Sequence, residues 1–246
     1  MDRLDTAALR LPGVEVRVVQ RCGSTNDLAL KGAAPLLVAA EEQTAGRGRR
    51  GRRWHSAPGA GVTFSLGRRI ERPVREFPAL SLVAGVAAAR ALHSLGVRAA
   101  RLKWPNDLVV DGAKLGGILV ESRGGRVAIG IGINCLRTPA LEARVRRRVA
   151  FLDQFISPQR NQVIRQTAAA LLEALDAFEE RGLEALRAEW EALDAHAGQR
   201  LRVRLADGRT LSGIAGGLGS DGSLQLQTRK GVRAVTSGRV VSARAA

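Results

Sequence analysis

A run of short apolar segments separated by tight turns limits the fold of this 246-residue sequence more than any other feature. The segments, each about as long as a β-strand, are 97–103, 108–110, 115–121 and 127–134. Asp-Gly at 111–112 and Gly-Gly at 124–125 lie between the later segments and are typical of hairpin turns. Consecutive hairpins predict a sheet that is mixed and largely antiparallel.

Helical patterns precede and follow these hairpins. Residues 78–95 form an apolar stretch with Pro78 near its start, and residues 161–193 show helical spacing interrupted at Arg181-Gly182. Further strands are predicted at 14–18, 36–40 and 61–66, and a short helix at 24–31. The predicted fold class is therefore α+β, with a mixed, largely antiparallel sheet flanked by helices.

The pattern changes near residue 198. Beyond this point short alternating strands are separated by Asp-Gly and Gly-Gly turns, as in a small β-barrel. We predict a main domain at 1–198 and a small C-terminal barrel at 199–246.

Composition excludes several classes of protein. No apolar run approaches the roughly 18 residues that cross a bilayer, and the first residues lack a secretory signal, so we expect a cytoplasmic protein without a membrane partner. The two cysteines, Cys22 and Cys135, form no Cys-x-x-Cys pair, which argues against a disulfide framework or a structural zinc site. The three histidines show no metal-ligand spacing, so the metal ligands stay unknown at this stage.

The formal net charge of +16 suggests a nucleic-acid partner only if the cations cluster. Arginines are scattered along the chain, with local concentrations at 47–53 and 144–148, and aromatic residues make up only 3%. Few stacking platforms are therefore available. We expect no DNA binding, and a nucleic-acid-binding module is an alternative function that rests on charge alone.

A long loop at 43–61 is rich in glycine and arginine. Its Gly46–Gly51 segment formally matches G-x-G-x-x-G, but no helix can follow through Pro58, so we reject a dinucleotide site. Flexible glycines beside guanidinium groups are expected of a segment that orders over an anionic ligand. A solvated run of charge is the alternative.

Several motifs then occur in a fixed order. They are Ser24-Thr25-Asn26, the Gly46–Gly51 loop, Lys-Trp-Pro-Asn-Asp at 103–107, Lys-Leu-Gly-Gly-Ile-Leu-Val-Glu at 114–121 and Gly-Ile-Gly-Ile-Asn at 130–134. Together they resemble the signatures of the biotin protein ligases. The resemblance implies a class II synthetase-like catalytic domain followed by an SH3-like barrel. Too few residues precede Val14 for the DNA-binding module of many bacterial members, so we expect the short form.

The implied activity is an ATP-dependent biotin protein ligase reaction in two steps. Biotin and ATP, with Mg²⁺, form biotinyl-5'-AMP and pyrophosphate, and the biotinyl group then passes to a lysine of a biotin carboxyl carrier protein. The closest alternative is a lipoate or octanoate protein ligase of related fold. The sequence leaves the oligomeric state open, a homodimer included.

The resemblance also implies site residues. Lys114 and Arg49 are the predicted catalytic groups. The predicted biotin-binding residues are Ser24, Thr25, Asn26, Gln43, Arg47, Gly48, Arg49, Trp104, Lys114, Gly116 and Gly117. The predicted ATP-binding or adenylate-binding residues are Arg47, Arg49, Arg50, Trp54, Lys103, Asn106, Asp107, Lys114 and Asn134.

Four of these residues have a structural alternative. Ser24 or Asn26 could cap the short helix, and Trp104 could pack in the core. Lys103 could pair with a carboxylate instead of a phosphate. Asp107 has two open roles, a metal contact or a base for the incoming lysine.

Overall fold

A computed structural model describes residues 2–33, 35–55, 57–138 and 148–245 of the chain. The basic concentration predicted at 144–148 lies outside these residues except for Arg148.

A seven-stranded sheet forms the centre of the molecule. Its strands are β1 (Glu15–Cys22), β2 (Leu36–Gln43), β3 (Gly61–Arg69), β4 (Arg101–Lys103), β5 (Asp107–Val110), β6 (Ala113–Arg123) and β7 (Arg126–Asn134). The strand order is β1-β2-β3-β7-β6-β5-β4. Only the β1–β2 pair is parallel, and the other pairs are antiparallel, which confirms the predicted mixed, largely antiparallel sheet.

The helices divide between the two faces of this sheet. They are α1 (Thr25–Ala29), α2 (Leu80–Ser94), α3 (Arg160–Arg181) and α4 (Glu184–Leu193), with 3₁₀ turns at Arg49–Gly51, Val74–Ala79 and Leu152–Gln154. The buried core contains the longer helices and one side of each strand, whereas α1 packs with the alternate residues of β2, Leu36 and Val38, in a separate small cluster. Period-two alternation thus gives the sheet one helix-covered face and one face that carries α1.

The same alternation prepares the site. Along β7, Ile129, Ile131 and Ile133 join the main core. Gly130 and Gly132 point the other way, since a Cβ at these positions would meet Asn26 and Trp54. The Gly-Ile-Gly-Ile motif therefore anchors one face of the strand and leaves the other face bare for close approach.

A second sheet follows the last helix. Its strands are β8 (Arg200–Leu205), β9 (Thr210–Leu218), β10 (Leu224–Thr228), β11 (Gly231–Val235) and β12 (Gly238–Arg244), in the order β11-β10-β9-β8-β12. The two edge strands, β11 and β12, are not bonded to each other within residues 148–245, so the sheet is open and not a closed barrel. Alternation predicts strands but not closure, which requires the two edges to meet in register. The domain boundary near residue 198 stays a prediction.

One helical stretch, Val74–Ser94, is long and apolar enough to span a membrane by composition. This corrects the expectation that no segment approaches that length. The apolar window is 72% buried within the molecule, where α2 packs against α3, α4 and the sheet. Core packing accounts for its composition.

Candidate active site

A cavity of about 340 Å³ opens on the face of the sheet that carries α1. Segments far apart in the sequence line it: the start of α1, the loop after β2, the turn between β4 and β5, β6, β7 and the last strand, β12. Most of the predicted site residues meet here, namely Ser24, Thr25, Asn26, Gln43, Arg47, Gly48, Arg49, Arg50, Trp54, Lys103, Trp104, Asn106, Asp107, Lys114 and Gly117. Gly116 and Asn134 are not among the lining residues.

Glycines form a flat floor in this cavity. Gly117 on β6 is directly opposite Gly132 on β7, and the ring of Trp54 lies over both. A Cβ at Gly132 would come within 2.4 Å of the Trp54 ring, so a side chain is excluded there. The Trp54 indole N–H is buried without a hydrogen-bond partner in the described structure. The two glycines therefore let the Trp54 ring lie directly against the backbone of β6 and β7.

Neutral hydrogen-bonding groups line the end of the cavity beside α1. The Gln43 Oε1 accepts from the Thr25 backbone N–H at 2.8 Å and from the Thr25 hydroxyl at 3.1 Å. Ser65 Oγ lies 2.6 Å from the Thr25 hydroxyl and donates to Asn26 Oδ1 at 2.6 Å. The Ser24 side chain makes no capping hydrogen bond in the described structure, although Ser24 occupies the N-cap position. The capping alternative thus gains no support for Ser24.

A cationic side faces these neutral groups across the cavity. The Lys114 ammonium pairs with the Asp107 carboxylate and lies 5.7 Å from the centroid of the Trp54 ring. Asn134 lies behind this residue, where its amide donates to the Lys114 carbonyl at 3.2 Å and the Ala150 carbonyl at 3.3 Å. Asn134 therefore supports the start of β6 and does not line the cavity.

Arg47 and Arg49, two of the five arginines in the loop, differ in their partners. Arg47 donates to both oxygens of Asp27, at 2.6 and 2.9 Å, and to both oxygens of Glu121, at 2.9 and 3.1 Å. Hydrogen bonds to these two carboxylates raise the pKa of Arg47 above its usual value. Arg49 makes no ion pair with any residue of the described ranges, and burial, assisted by the charge of Arg50, lowers its pKa. Arg47 thus ties the loop down, while Arg49 is a loop cation at the cavity that an anion can bind.

Comparison with known proteins identifies the family. The family model for biotin/lipoate A/B protein ligases matches residues 19–136, and the model for the biotin protein ligase C-terminal domain matches residues 196–241. The biotin–[acetyl-CoA-carboxylase] ligase of Mycobacterium tuberculosis is 35% identical over 244 residues, which are 94% of this chain and 90% of that protein. The chain belongs to the biotin protein ligase family. The predicted class of enzyme, an ATP-dependent ligase, is confirmed with it.

Two further comparisons agree with this assignment. The bifunctional ligase/repressor BirA of Escherichia coli is 35% identical over 228 residues, 89% of this chain and 71% of that protein. A solved biotin protein ligase from Aquifex aeolicus, in complex with biotin and ATP, matches with a TM-score of 0.80 over 94% of this chain and 99% of that one. At 24% identity this structure establishes the fold of the ligase and not its ligands.

The Lys-Trp-Pro-Asn-Asp turn of this ligase is braced from two sides. Trp104 is buried, and its indole N–H donates to the Gly222 carbonyl in the second sheet at 3.1 Å. The side-chain amide of Asn106 donates to the Ile118 carbonyl at 2.7 Å, and the backbone carbonyl of Asn106 accepts from the Ile118 N–H at 2.9 Å. Most of the Trp104 ring therefore packs in the core, as the structural alternative expected, while Lys103 and Asp107 line the cavity.

Sequence reasoning missed several residues of the site. Thr63 and Ser65 are buried polar residues that alternate with apolar ones along β3, a signal that the sequence did contain. Glu121 accepts from the Asn26 amide at 2.7 Å and from Arg47, and thereby joins α1 to the loop. Arg239 on β12 also lines the cavity, and no local motif marks it.

Carboxylates are scarce around the cavity. Asp107 is the one acidic residue among the lining residues of the described chain, and the described ranges hold no group of three or more metal-ligating side chains. Mg²⁺ is commonly held by one or two carboxylates together with substrate phosphates. The site thus fits Mg²⁺ that arrives bound to ATP better than a metal held by the protein alone.

Proposed function

We propose that this ligase activates biotin with MgATP at the cavity on the α1 face and transfers the biotinyl group to a lysine of a biotin carboxyl carrier protein. One observation supports this proposal above the others. Lys114, Lys103 and Arg49 come from three separate segments to one cavity whose opposite end is lined by neutral Thr25 and Gln43. A ligand with a neutral polar head and an anionic tail complements this arrangement.

Biotin is such a ligand. Its ureido group offers neutral donors and acceptors, which Ser24, Thr25 and Gln43 can satisfy at the polar end. The Trp54 ring, which lies over Gly117 and Gly132, gives the fused rings an apolar surface to pack against. The carboxylate tail then points toward Lys114 and Arg49.

In the first step the biotin carboxylate attacks the α-phosphorus of ATP, and pyrophosphate leaves. Two anions must approach each other and charge builds on phosphoryl oxygens, so fixed cations supply the main stabilisation. Lys114 suits this role because its ammonium is held at the cavity by Asp107 and can exchange that carboxylate for a ligand carboxylate or phosphate. Arg49, Arg50 and Lys103 contribute further positive charge, and Asn106 positions the turn.

Mg²⁺ bound to ATP would neutralise phosphate charge at this site. Asp107 is the carboxylate that would hold it.

The loop that contains Arg47, Gly48 and Arg49 then covers the mixed anhydride. Closing an active site excludes water, which would otherwise hydrolyse the anhydride. Arg47 anchors the loop through Asp27 and Glu121, so closure over the ligand keeps one fixed point.

In the second step the lysine amine of the carrier attacks the acyl carbon of biotinyl-AMP. The bond from that carbon to the phosphate oxygen breaks, an amide forms and AMP leaves. The amine must lose a proton, which Asp107 can accept at the cavity. Three expectations stay predictions from the sequence: that the chain does not bind DNA, that it can form a homodimer, and that it is cytoplasmic.

An exchange assay tests the proposal. Biotin-dependent incorporation of labelled pyrophosphate into ATP is expected with the purified chain and Mg²⁺, followed by labelling of a carrier domain. Lipoate and octanoate serve as competing acids in parallel reactions. Exchange with lipoate or octanoate but not with biotin would assign the chain to the lipoate branch, and no exchange with any acid would reject acid activation.

A further inference from the structure

An exposed row of arginines covers the outward face of two neighbouring strands in the second sheet. We call it the arginine face, and its members are Arg200, Arg202 and Arg204 on β8 and Arg239 and Arg244 on β12. In the antiparallel register Arg204 lies opposite Arg239, and Arg200 lies opposite Arg244. The alternating sequence Arg-Leu-Arg-Val-Arg-Leu of β8 puts its leucines and valine inward and its arginines outward.

Like charges directly opposite each other in an antiparallel pair are destabilising. Within the ranges that the structure describes, none of the five arginines forms an ion pair. Segment 199–245 contains nine basic residues and two acidic ones. Asp207 pairs with Arg209 at 2.6 Å, and Asp221 accepts from the Ser223 hydroxyl at 2.6 Å. The arginine face therefore keeps its positive charge uncompensated within this sheet.

The arginine face begins at the mouth of the cavity. Arg239 lines the cavity, and partial desolvation lowers its pKa, assisted by the positive charges of Arg52, Arg204 and Arg50. Arg50 donates to the Ser237 hydroxyl at 3.1 Å, which joins the loop to the start of β12. From Arg204 the row continues along β8 to Arg200, about 13 Å further on. Because the row extends this far beyond the cavity mouth, a partner that contacts all of it must be larger than a nucleotide.

The cavity mouth also poses an electrostatic problem for the second step. The acceptor lysine is a cation, and it must approach an opening lined by Lys103, Arg49 and Arg239. A lysine on a neutral or basic protein is repelled there, whereas acidic residues around the lysine offset the repulsion and steer the approach.

We propose that the arginine face docks an acidic surface of the carrier protein and so directs its acceptor lysine into the cavity. The inference rests on the proposed function, because the occupant is the substrate of the second step. It adds a selection rule: the enzyme modifies carriers that present acidic residues beside the lysine and spares exposed lysines on basic proteins.

The test separates the two half-reactions. In the double variant R200E/R202E both changes lie on the arginine face but away from the cavity lining. The probe is the unmodified carrier domain of acetyl-CoA carboxylase. We expect kcat/KM for this domain to fall at least 10-fold at low salt, with the loss in KM, while biotin-dependent pyrophosphate exchange stays unchanged. The difference should shrink as salt increases, since screening weakens both attraction and repulsion.

A matched control is available at the opposite edge of the same sheet. R229E/R233E removes the same charge from exposed positions at the end of β10 and on β11. We expect its kcat/KM for the carrier domain to stay within twofold of the wild type. Neutralising acidic residues next to the lysine on the carrier should reduce the rate with the wild-type enzyme and have little effect with R200E/R202E.

Each contrary result has a distinct meaning. Normal pyrophosphate exchange with transfer equal to that of the control overturns the docking inference alone. No exchange in the wild-type chain overturns the proposed function and the carrier as occupant. Binding of a DNA duplex that R200E/R202E abolishes without any change in transfer overturns the inference and assigns the face to nucleic acid.

Discussion

Lys114 is held between an acid and an aromatic ring. Its ammonium pairs with Asp107 and lies 5.7 Å from the Trp54 centroid, so it is fixed at the cavity before any ligand arrives. We expect Lys114→Met to slow adenylate formation by about 10²- to 10³-fold, the typical loss when one fixed donor to developing charge is removed. Pyrophosphate exchange measures this rate. Lys230→Met, at an exposed turn, is the control, and an exchange rate for Lys114→Met equal to that control would reject the assigned role.

Asp107 has more than one proposed role, and two assays of a single substitution separate them. Asp107→Asn removes the charge that positions Lys114 and also the proposed base for the acceptor amine. We expect biotin transfer to fall about 10²-fold, in the range of general base catalysis. Pyrophosphate exchange and single-turnover transfer from preformed biotinyl-AMP distinguish the roles, because loss of the base affects only the second. Unchanged rates in both assays would remove Asp107 from the mechanism.

Side-chain chemistry predicted where residues lie better than what they contact. The sequence places Arg47 and Asn134 among the ligand-binding residues, yet Arg47 is engaged by Asp27 and Glu121, and Asn134 donates to backbone carbonyls. Both contacts join segments far apart in the chain. Motif spacing carries no information about such partners, so residue roles were less predictable than residue positions.

At the scale of elements, the packing of α1 against β3 determines where the polar end of the cavity lies. Arg126 is buried and donates to the Ala29 carbonyl at 2.9 Å and the Gly67 carbonyl at 3.0 Å, which ties the helix to the strand. A Cβ at Gly67 would lie 2.3 Å from the Ala29 carbonyl oxygen. The position of Thr25 and Asn26 therefore depends on a bare backbone at Gly67.

Gly67→Ala is expected to lower the free energy of unfolding by about 1–3 kcal/mol, the usual cost of overpacking. It should also weaken biotin binding several-fold, because α1 must move. Urea unfolding and calorimetric titration with biotin measure the two effects. Gly23→Ala is the control, since its Cβ meets nothing within 4 Å. Wild-type stability and affinity in Gly67→Ala would contradict the packing argument.

The glycine-arginine loop gives a second prediction for an element. Arg49→Gly removes the loop cation that is proposed to hold the adenylate, while Arg47 still anchors the loop. We expect faster release of biotinyl-AMP, by at least 10-fold, and labelling of lysines on unrelated proteins. Stopped-flow release and blotting for biotin measure these outcomes, with the amount of adenylate formed as the internal control. Retention as tight as in the wild type would count against this role.

The elements themselves followed from local patterns. Hairpin turns at 111–112 and 124–125 predicted β5, β6 and β7, and the interruption at Arg181-Gly182 predicted the break between α3 and α4. Closure of the C-terminal sheet was predicted and is absent from the described residues. Closure depends on how two edge strands meet, which is a property of the whole sheet and not of any one strand.

At the scale of the whole molecule, the last strand completes a cavity that begins with the first helix. Arg239 on β12 lines the same space as Ser24, although more than two hundred residues separate them. Gly222 accepts from Trp104, so the second sheet also braces the Lys-Trp-Pro-Asn-Asp turn. Such long-range contacts leave no local pattern, which explains why the contribution of the second sheet to the site was not predicted.

The connection between the two sheets contains a pair of groups with opposite pKa shifts. Burial raises the pKa of Asp194 from 3.8 to about 6, and nearby Glu191 adds to this rise. Burial lowers the pKa of His196 from 6.5 to about 4, assisted by the charge of Lys103. The backbone N–H of His196 donates to Asp194 Oδ1 at 3.0 Å, so the two residues belong to one turn.

These shifts affect stability in opposite directions. Between pH 3.8 and about 6 the folded state keeps the Asp194 proton that the unfolded chain has lost, so stability falls as pH rises. Between pH 4 and 6.5 the unfolded chain binds the His196 proton that the folded state excludes, so stability rises with pH. The Asp194 effect amounts to about 3 kcal/mol at full extent. The His196 effect is smaller because solvent screens its less deeply buried side chain, so the two effects partly cancel in the wild type.

Substitution of either residue leaves the other to determine how the free energy of unfolding depends on pH. Asp194→Asn keeps the acceptor for the His196 backbone N–H. As the pH rises from 4 to 6.5, the free energy of unfolding of this variant should increase by about 3 kcal/mol more than that of the wild type. His196→Gln should produce a smaller decrease over the same range, and the double variant should have a flat profile. Urea unfolding at pH 4, 5 and 6.5 measures all four proteins. If both single variants changed the slope in the same direction, the two groups would not titrate as opposed buried charges, and the connection between the sheets would carry no compensated pair.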